Sequence, residues 1–195
     1  MKIRAILLVA LLLANAVFAD TPARSGRVLG SAVSAITIEL YSDFQCPSCK
    51  WLYENTLGPL IANYVGKSRV YLVERYFPLP VHAHAKEAAC YACAADRIGK
   101  YEQVCDVLFR RQDEWSKTGK VDETVCSVLS ASEAAKVRAL AKDPSVMAEV
   151  QKDMDLGTKN RISGTPTMVI SHNGKSYQVG PVSFGVLSRL LDSLK

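Results

Sequence analysis

The chain has 195 residues, 24 Lys and Arg against 19 Asp and Glu, and a net charge of +5 at neutral pH. Charges of both signs are mixed along it with no basic stripe, which argues against nucleic acid as a partner. Apolar residues make up 49%, with no low-complexity tract and no internal repeat, so the composition excludes a disordered or fibrous chain and fits one domain with a sizeable core.

The first residues are Met1-Lys2-Ile3-Arg4, followed by an apolar run from Ala5 to Leu13 and then Ala14-Asn15-Ala16-Val17-Phe18-Ala19. A basic start, an apolar stretch and small residues at a cleavage point make a signal peptide, cut near Ala19. The run is short against the roughly 20 apolar residues of a membrane span, so export is expected rather than a retained anchor. Removal of residues 1–19 leaves 176 and takes away Lys2 and Arg4, lowering the net charge to +3. All six cysteines (Cys46, Cys49, Cys90, Cys93, Cys105 and Cys126) lie beyond the cut. An even number of cysteines in an exported chain points to an oxidising compartment such as the periplasm.

Residues 20–33 are polar and glycine-containing and read as a short leader. Residues 35–41, Ala-Ile-Thr-Ile-Glu-Leu-Tyr, are β-branched and aromatic and predict a strand. Cys46-Pro47-Ser48-Cys49 follows, with helix expected from Pro47, which suits a first helical turn because its missing N–H has no partner there. Cys46 then sits near a helix N-terminus, where free N–H groups and the helix dipole favour a thiolate, the reactive form of cysteine. Gly58-Pro59 is expected to break or kink this helix. Residues 69–77 predict a second strand, ended by Pro78 and Pro80. Strand, helix and strand make a βαβ unit with parallel strands.

From residue 82 to about 160 the pattern is helical, with helices expected over residues 86–98, 101–114, 122–129 and 145–159. After Gly164-Thr165-Pro166 the strand pattern returns in residues 167–171. Asn173-Gly174 marks a hairpin turn, residues 176–180 form its second strand, and Phe184, Leu187, Leu191 and Leu194 lie on the apolar face of a closing helix. The order βαβ, helical block, ββα defines an α/β fold.

This order, with a CxxC after the first strand and Thr-Pro before the third, resembles the thioredoxin fold with an inserted all-helical subdomain. It is similar to the exported DsbA family of thiol–disulfide oxidoreductases. Three stretches carry the likeness: Tyr41-Ser42-Asp43-Phe44-Gln45-Cys46-Pro47-Ser48-Cys49; Phe77-Pro78-Leu79 with His82 and the alanine-rich helix after it; and Ile162-Ser163-Gly164-Thr165-Pro166-Thr167. The resemblance implies a thioredoxin-like domain over residues 34–195 with an insertion at about 82–160. It makes Cys46 the nucleophile, Cys49 the buried resolving cysteine and Pro166 a cis-proline facing the sulfurs. It gives the Thr165 main chain the task of pairing with extended substrate, and Pro47 and Ser48 that of tuning redox poise. Oxidised enzyme would take up a substrate thiolate at Cys46 and leave Cys46 and Cys49 reduced. The implied partners are newly exported proteins with cysteines and a membrane quinone-linked reoxidase. No cofactor or metal is expected.

One position departs from the family, which often carries a buried acid six residues before the first cysteine. Leu40 stands there, and Glu39 should face the other side of the strand. Water, Asp43 or Glu74 could then take the Cys49 proton. The other four cysteines are open to three readings: structural disulfides, a second redox pair at Cys90 and Cys93, or a zinc site joining both CxxC pairs. The resemblance favours Cys93–Cys126 or Cys90–Cys126, with Cys105 taking the remaining partner. His82 and His84 are expected as surface or helix-entry residues, and Tyr41 and Phe44 as packing beneath the site. The rival functions are a reductase or isomerase of the same compartment, a non-enzymatic zinc-binding or scaffold module, and a dedicated factor for a single client.

Overall fold

The computed structural model describes residues 25–194; the expected signal peptide lies outside them. Five strands form one sheet in the order β1-β3-β2-β4-β5. β2 (Ile36–Ser42) and β3 (Val70–Tyr76) are parallel, in register from Ile36↔Val70 to Ser42↔Tyr76. β4 (Thr167–His172) runs antiparallel to β2, and β5 (Lys175–Val179) antiparallel to β4. Asn173 and Gly174 both take positive φ at the hairpin, the conformation a tight turn of this hand requires. β1 (Val28–Leu29) adds an edge to β3 that the polar leader did not predict.

Alternation along β2 gives the sheet two buried faces. Ile36, Ile38 and Leu40 join Leu52, Leu60, Val70, Leu72, Met168, Leu187 and Leu191 in one core, beneath the first helix and the closing helix. Tyr41 points the other way, into a smaller cluster with Ile162 and Val169.

Helix α1 (Pro47–Leu52) does not break at Gly58-Pro59. It continues through π-helical turns at Tyr53–Leu57 and Ile61–Val65 on either side of α2 (Gly58–Leu60), with Gly58 at φ −56° and ψ −53°. A widened π turn changes which carbonyl faces which N–H, so a proline that lacks one can be carried without leaving the helical region.

The helical block holds α3 (Ala85–Asp96), α4 (Tyr101–Arg110), α5 (Gln112–Thr118), α6 (Val121–Cys126), α7 (Ala131–Ala141) and α8 (Pro144–Lys159), and α9 (Phe184–Ser193) closes the chain. Two corrections follow. The helix expected over residues 101–114 is two, divided at Arg111. There the fully buried Trp115 folds back, and its Nε1 donates to the Leu108 carbonyl at 2.7 Å, an acceptor left over at the end of α4. Helix α7 was not expected at all, although Ser130 and Glu133 form a reciprocal capping box at its start.

Candidate active site

The end of β2 delivers the chain to the two cysteines through a turn built by Asp43. Its buried carboxylate accepts from the Gln45 N–H at 2.7 Å, the Leu79 N–H at 2.8 Å and His82 Nδ1 at 2.7 Å. His82 is thus tied to the cysteine loop rather than free on the surface. The Gln45 side chain accepts from the His84 N–H at 2.8 Å and donates to the Ser116 carbonyl at 3.3 Å. Phe44 packs against Phe109 and Tyr76, with ring centroids 5.1 and 6.4 Å away.

Cys46 is the N-cap residue of α1 and Pro47 its first residue. Both sulfurs are buried, whereas Pro47 and Ser48 between them are exposed. The Thr165–Pro166 peptide bond is cis, and the Cys46 thiol donates to the Thr165 carbonyl at 3.3 Å. The third sequence stretch therefore meets the first at a single sulfur, 119 residues apart. The Thr165 hydroxyl is buried and has no partner among the described residues.

Cys46 is pulled down to a pKa of about 5. The Cys49 thiol contributes most as a donor; burial opposes it, and the Thr165 side chain and the N–H groups of Cys49 and Ser48 add to the lowering. The unpartnered Thr165 hydroxyl is thus the donor that a thiolate gains. Cys49 moves far upward, because of burial first and then the Cys46 sulfur beside it. The remaining thiols are also raised, chiefly by burial: Cys90; Cys93, to about 12; Cys105; and Cys126, to about 11. Among six cysteines only Cys46 is poised as a nucleophile at neutral pH.

Cys90 and Cys93 lie in α3, Cys105 in α4 and Cys126 in α6, and all six cysteines are unpaired thiols. The pairings considered for Cys90, Cys93, Cys105 and Cys126 are not made in this structure. Among the described residues no three His, Cys, Asp or Glu side chains come together in a metal-binding group.

Leu40 is buried, and its Cα partner on β3 is Glu74. Neighbours in register share a face, so a carboxyl does occupy this side of the sheet, one strand over. Burial raises Glu74 to about 7, and it accepts from the Tyr101 hydroxyl at 2.9 Å. Asp43 meets Cys49 through its N–H, 3.4 Å from the sulfur, while its carboxylate is taken by three donors.

Sequence reasoning missed Gln112. This buried amide of α5 donates to the carbonyls of Phe44 at 2.7 Å and Cys46 at 3.0 Å. A glutamine inside what read as one amphipathic helix carries no signal of this task. The Asp43-x-Gln45 turn also went unread, although an Asp side chain habitually accepts from the N–H two residues on.

A family model described as thioredoxin matches residues 23–193. "Disulfide bond formation protein D" of Bacillus subtilis is 24% identical over 153 residues, covering 74% of this chain and 67% of that protein. "Na(+)/H(+) antiporter NhaA 3" of Salinispora tropica is 29% identical over 162 residues, 83% of this chain, which spans only 23% of that relative's length. The solved structure of Wolbachia pipientis alpha-DsbA1 matches with a TM-score of 0.72 at 20% identity, over 86% of this chain and 89% of that one. The fold is therefore the thioredoxin fold with a helical insertion, as in that protein.

Proposed function

Since the chain belongs to the thioredoxin family, we propose that it is an exported dithiol–disulfide oxidoreductase that introduces disulfides into other proteins through Cys46 and Cys49. In the oxidised enzyme a substrate thiolate attacks Cys46 Sγ, and the electron pair of the broken S–S bond leaves with Cys49, which takes up a proton. The second substrate thiolate then attacks the substrate sulfur of the mixed disulfide. Cys46 departs as a thiolate, and two electrons have passed from substrate to enzyme. A thiol with a pKa of about 5 is a good leaving group at neutral pH. Cys46 is therefore the sulfur from which product should leave, and it is the sulfur attacked in the first step because it caps α1 beside Thr165 while Cys49 is the more deeply buried of the two.

The observation that carries this reading is the meeting of a helix-capping, thiolate-poised Cys46 with the cis Thr165–Pro166 bond, on a sheet and insertion shared with a DsbA protein. In this reading Pro166 presents Thr165 to the sulfur, and the Thr165 main chain pairs with an extended substrate, which suits broad specificity because main-chain bonds do not read side chains. Pro47 and Ser48, exposed between the sulfurs, set redox poise. Residues 1–19 serve as the signal peptide cut near Ala19, residues 34–195 as the working domain with its insertion at about 82–160, and the periplasm as the compartment. Newly exported proteins would be the electron donors and a membrane quinone-linked reoxidase the acceptor.

The test is the equilibrium constant of the pair with glutathione, each tenfold step being worth about 30 mV for two electrons. A potential well above that of thioredoxin is expected. A potential near thioredoxin's would reverse the direction and make the protein a reductase or isomerase. Absence of reversible exchange in metal-free protein would remove the redox reading and favour a zinc-binding or scaffold module.

A further inference from the structure

We infer that Gln112, a side chain of the helical insertion, is a positioning residue for exchange at Cys46: by occupying the Cys46 carbonyl it frees the Cys49 N–H for the Cys46 sulfur. The role deepens the exchange reading above and rests on it. Three donors converge on that single carbonyl: Gln112 Nε2 at 3.0 Å, the Cys49 N–H at 3.1 Å and the Lys50 N–H at 3.2 Å. A carbonyl oxygen has two lone pairs, so one donor is in surplus. Lys50 N–H makes the ordinary bond to the residue four before it, which holds the first turn of α1 together. Gln112 is held in place by its second bond, to the Phe44 carbonyl at 2.7 Å, and by burial. The Cys49 N–H is the donor with somewhere else to go, because the Cys46 sulfur lies within its reach and gains from it on ionising.

The consequence is directional. Where Gln112 fills the carbonyl, the cost of turning the Cys49 N–H onto the sulfur falls, because the acceptor it gives up is already satisfied. The thiolate, and with it the dithiol state of the enzyme, is favoured over the disulfide. Reduction of the enzyme disulfide by two glutathione thiols, giving enzyme dithiol and glutathione disulfide, is pulled forward. The insertion thereby contributes to the oxidising power of a pair that lies outside it in sequence.

The test is Gln112→Met, which keeps the volume and removes both N–H groups. Titration of Cys46 by ultraviolet thiolate absorbance should show its midpoint rising by about one pH unit, and the glutathione equilibrium constant should fall about tenfold, or about 30 mV. In 15N-labelled wild-type protein the Cys49 amide proton should shift as Cys46 ionises, and the variant should show a smaller shift. Ala134→Gly in α7 serves as a control: it weakens the insertion without reaching the carbonyl, and the midpoint should stay put. The proposal is overturned if Gln112→Met leaves midpoint and constant unchanged, or if Ala134→Gly moves them equally. Should Gln112→Met fail to fold, the wild-type Cys49 amide decides alone, and its indifference to Cys46 ionisation overturns the proposal. If wild-type protein does not exchange with glutathione, the exchange reading fails, while the Cys46 titration and the Cys49 amide still report on Gln112.

Discussion

Cys46 and Cys49 are three residues apart and are driven in opposite directions, one down to about 5 and the other far up. The helix N-terminus alone does not separate them; both sulfurs have donors, but at Cys49 burial and the neighbouring Cys46 sulfur outweigh the Asp43 N–H and the Ser42 side chain. Cys46 has the Cys49 thiol, the Thr165 side chain and two N–H groups, whereas burial dominates at Cys49. Thr165→Val isolates one of these donors. It should raise the Cys46 midpoint by about one pH unit, since one unit corresponds to about 1.4 kcal/mol and a hydrogen bond to a charged group is worth about 1.5–3 kcal/mol before solvent competes. The same change removes a buried hydroxyl without a partner, so thermal stability of the oxidised form should hold or improve. A fall in stability with no change of midpoint would show that the hydroxyl packs rather than donates. Much of this chemistry was legible: a cysteine before a proline at a strand–helix junction predicts the cap, and Gly-Thr-Pro-Thr predicts the second wall. Two contacts were not, because the Thr165 side chain reaches the sulfur from far along the chain and Gln112 reaches the Cys46 carbonyl from α5, and pattern along a chain says nothing about contacts across it.

Among the elements, β2 to β5 were read within a residue or two of where they fall: β2, β3 and β4 because their β-branched and aromatic runs fill the core, and the exposed β5 because the Asn173-Gly174 turn places it. Helix α7 escaped because its residues are small and weakly patterned, leaving only the capping box to announce it. β1 escaped because two residues carry no period. Its place is secured from outside: the buried Arg27 donates to the Glu74 carbonyl at 3.1 Å and to Asp153 at 2.7 Å, with its guanidinium 4.4 Å from the centroid of the Tyr76 ring. Asp153 of α8 also accepts from Arg75 and from the Tyr76 N–H, both at 3.2 Å. One nearly buried carboxylate therefore joins β1, β3 and α8. Asp153→Ala would orphan the Tyr76 N–H and take one carboxylate from each arginine, while Arg27 keeps Glu149 and Asp96 and Arg75 keeps Glu39, so urea unfolding should show a loss of about 1.5–3 kcal/mol, the usual worth of a hydrogen bond to a charged group. Hydrogen exchange at Val28 and Leu29 should quicken before the β2–β3 pairing does. A loss spread evenly over the sheet would mean that Asp153 supports the fold at large and not this junction.

Across the whole molecule, the two sulfurs belong to the insertion's core, with Phe44, Tyr76, Val104, Leu108, Phe109 and Trp115, and not to the core between sheet, first helix and closing helix. The redox state of the pair is thereby joined to the stability of the larger helical cluster. Cys46 as a thiolate has its pKa lowered from an ordinary 9.0 to about 5 in the folded protein. An acid depressed by folding stabilises the native state fully above its unfolded pKa, and that contribution fades as pH falls through the folded value. For the reduced protein the contribution is about 3 kcal/mol at pH 7, taking about 1.4 kcal/mol per unit over the two units above pH 5. The oxidised protein has no Cys46 proton to bind and lacks this slope. Urea unfolding of both forms from pH 4 to pH 8 should therefore show the reduced form gaining on the oxidised one from about pH 5 upward. Cys46→Ser in the reduced state should remove the gain. Parallel curves for the two forms would mean that the thiolate is no better held in the native state than in the unfolded chain. The drive to oxidise substrates would then have to come from strain in the disulfide rather than from the donors gathered around Cys46.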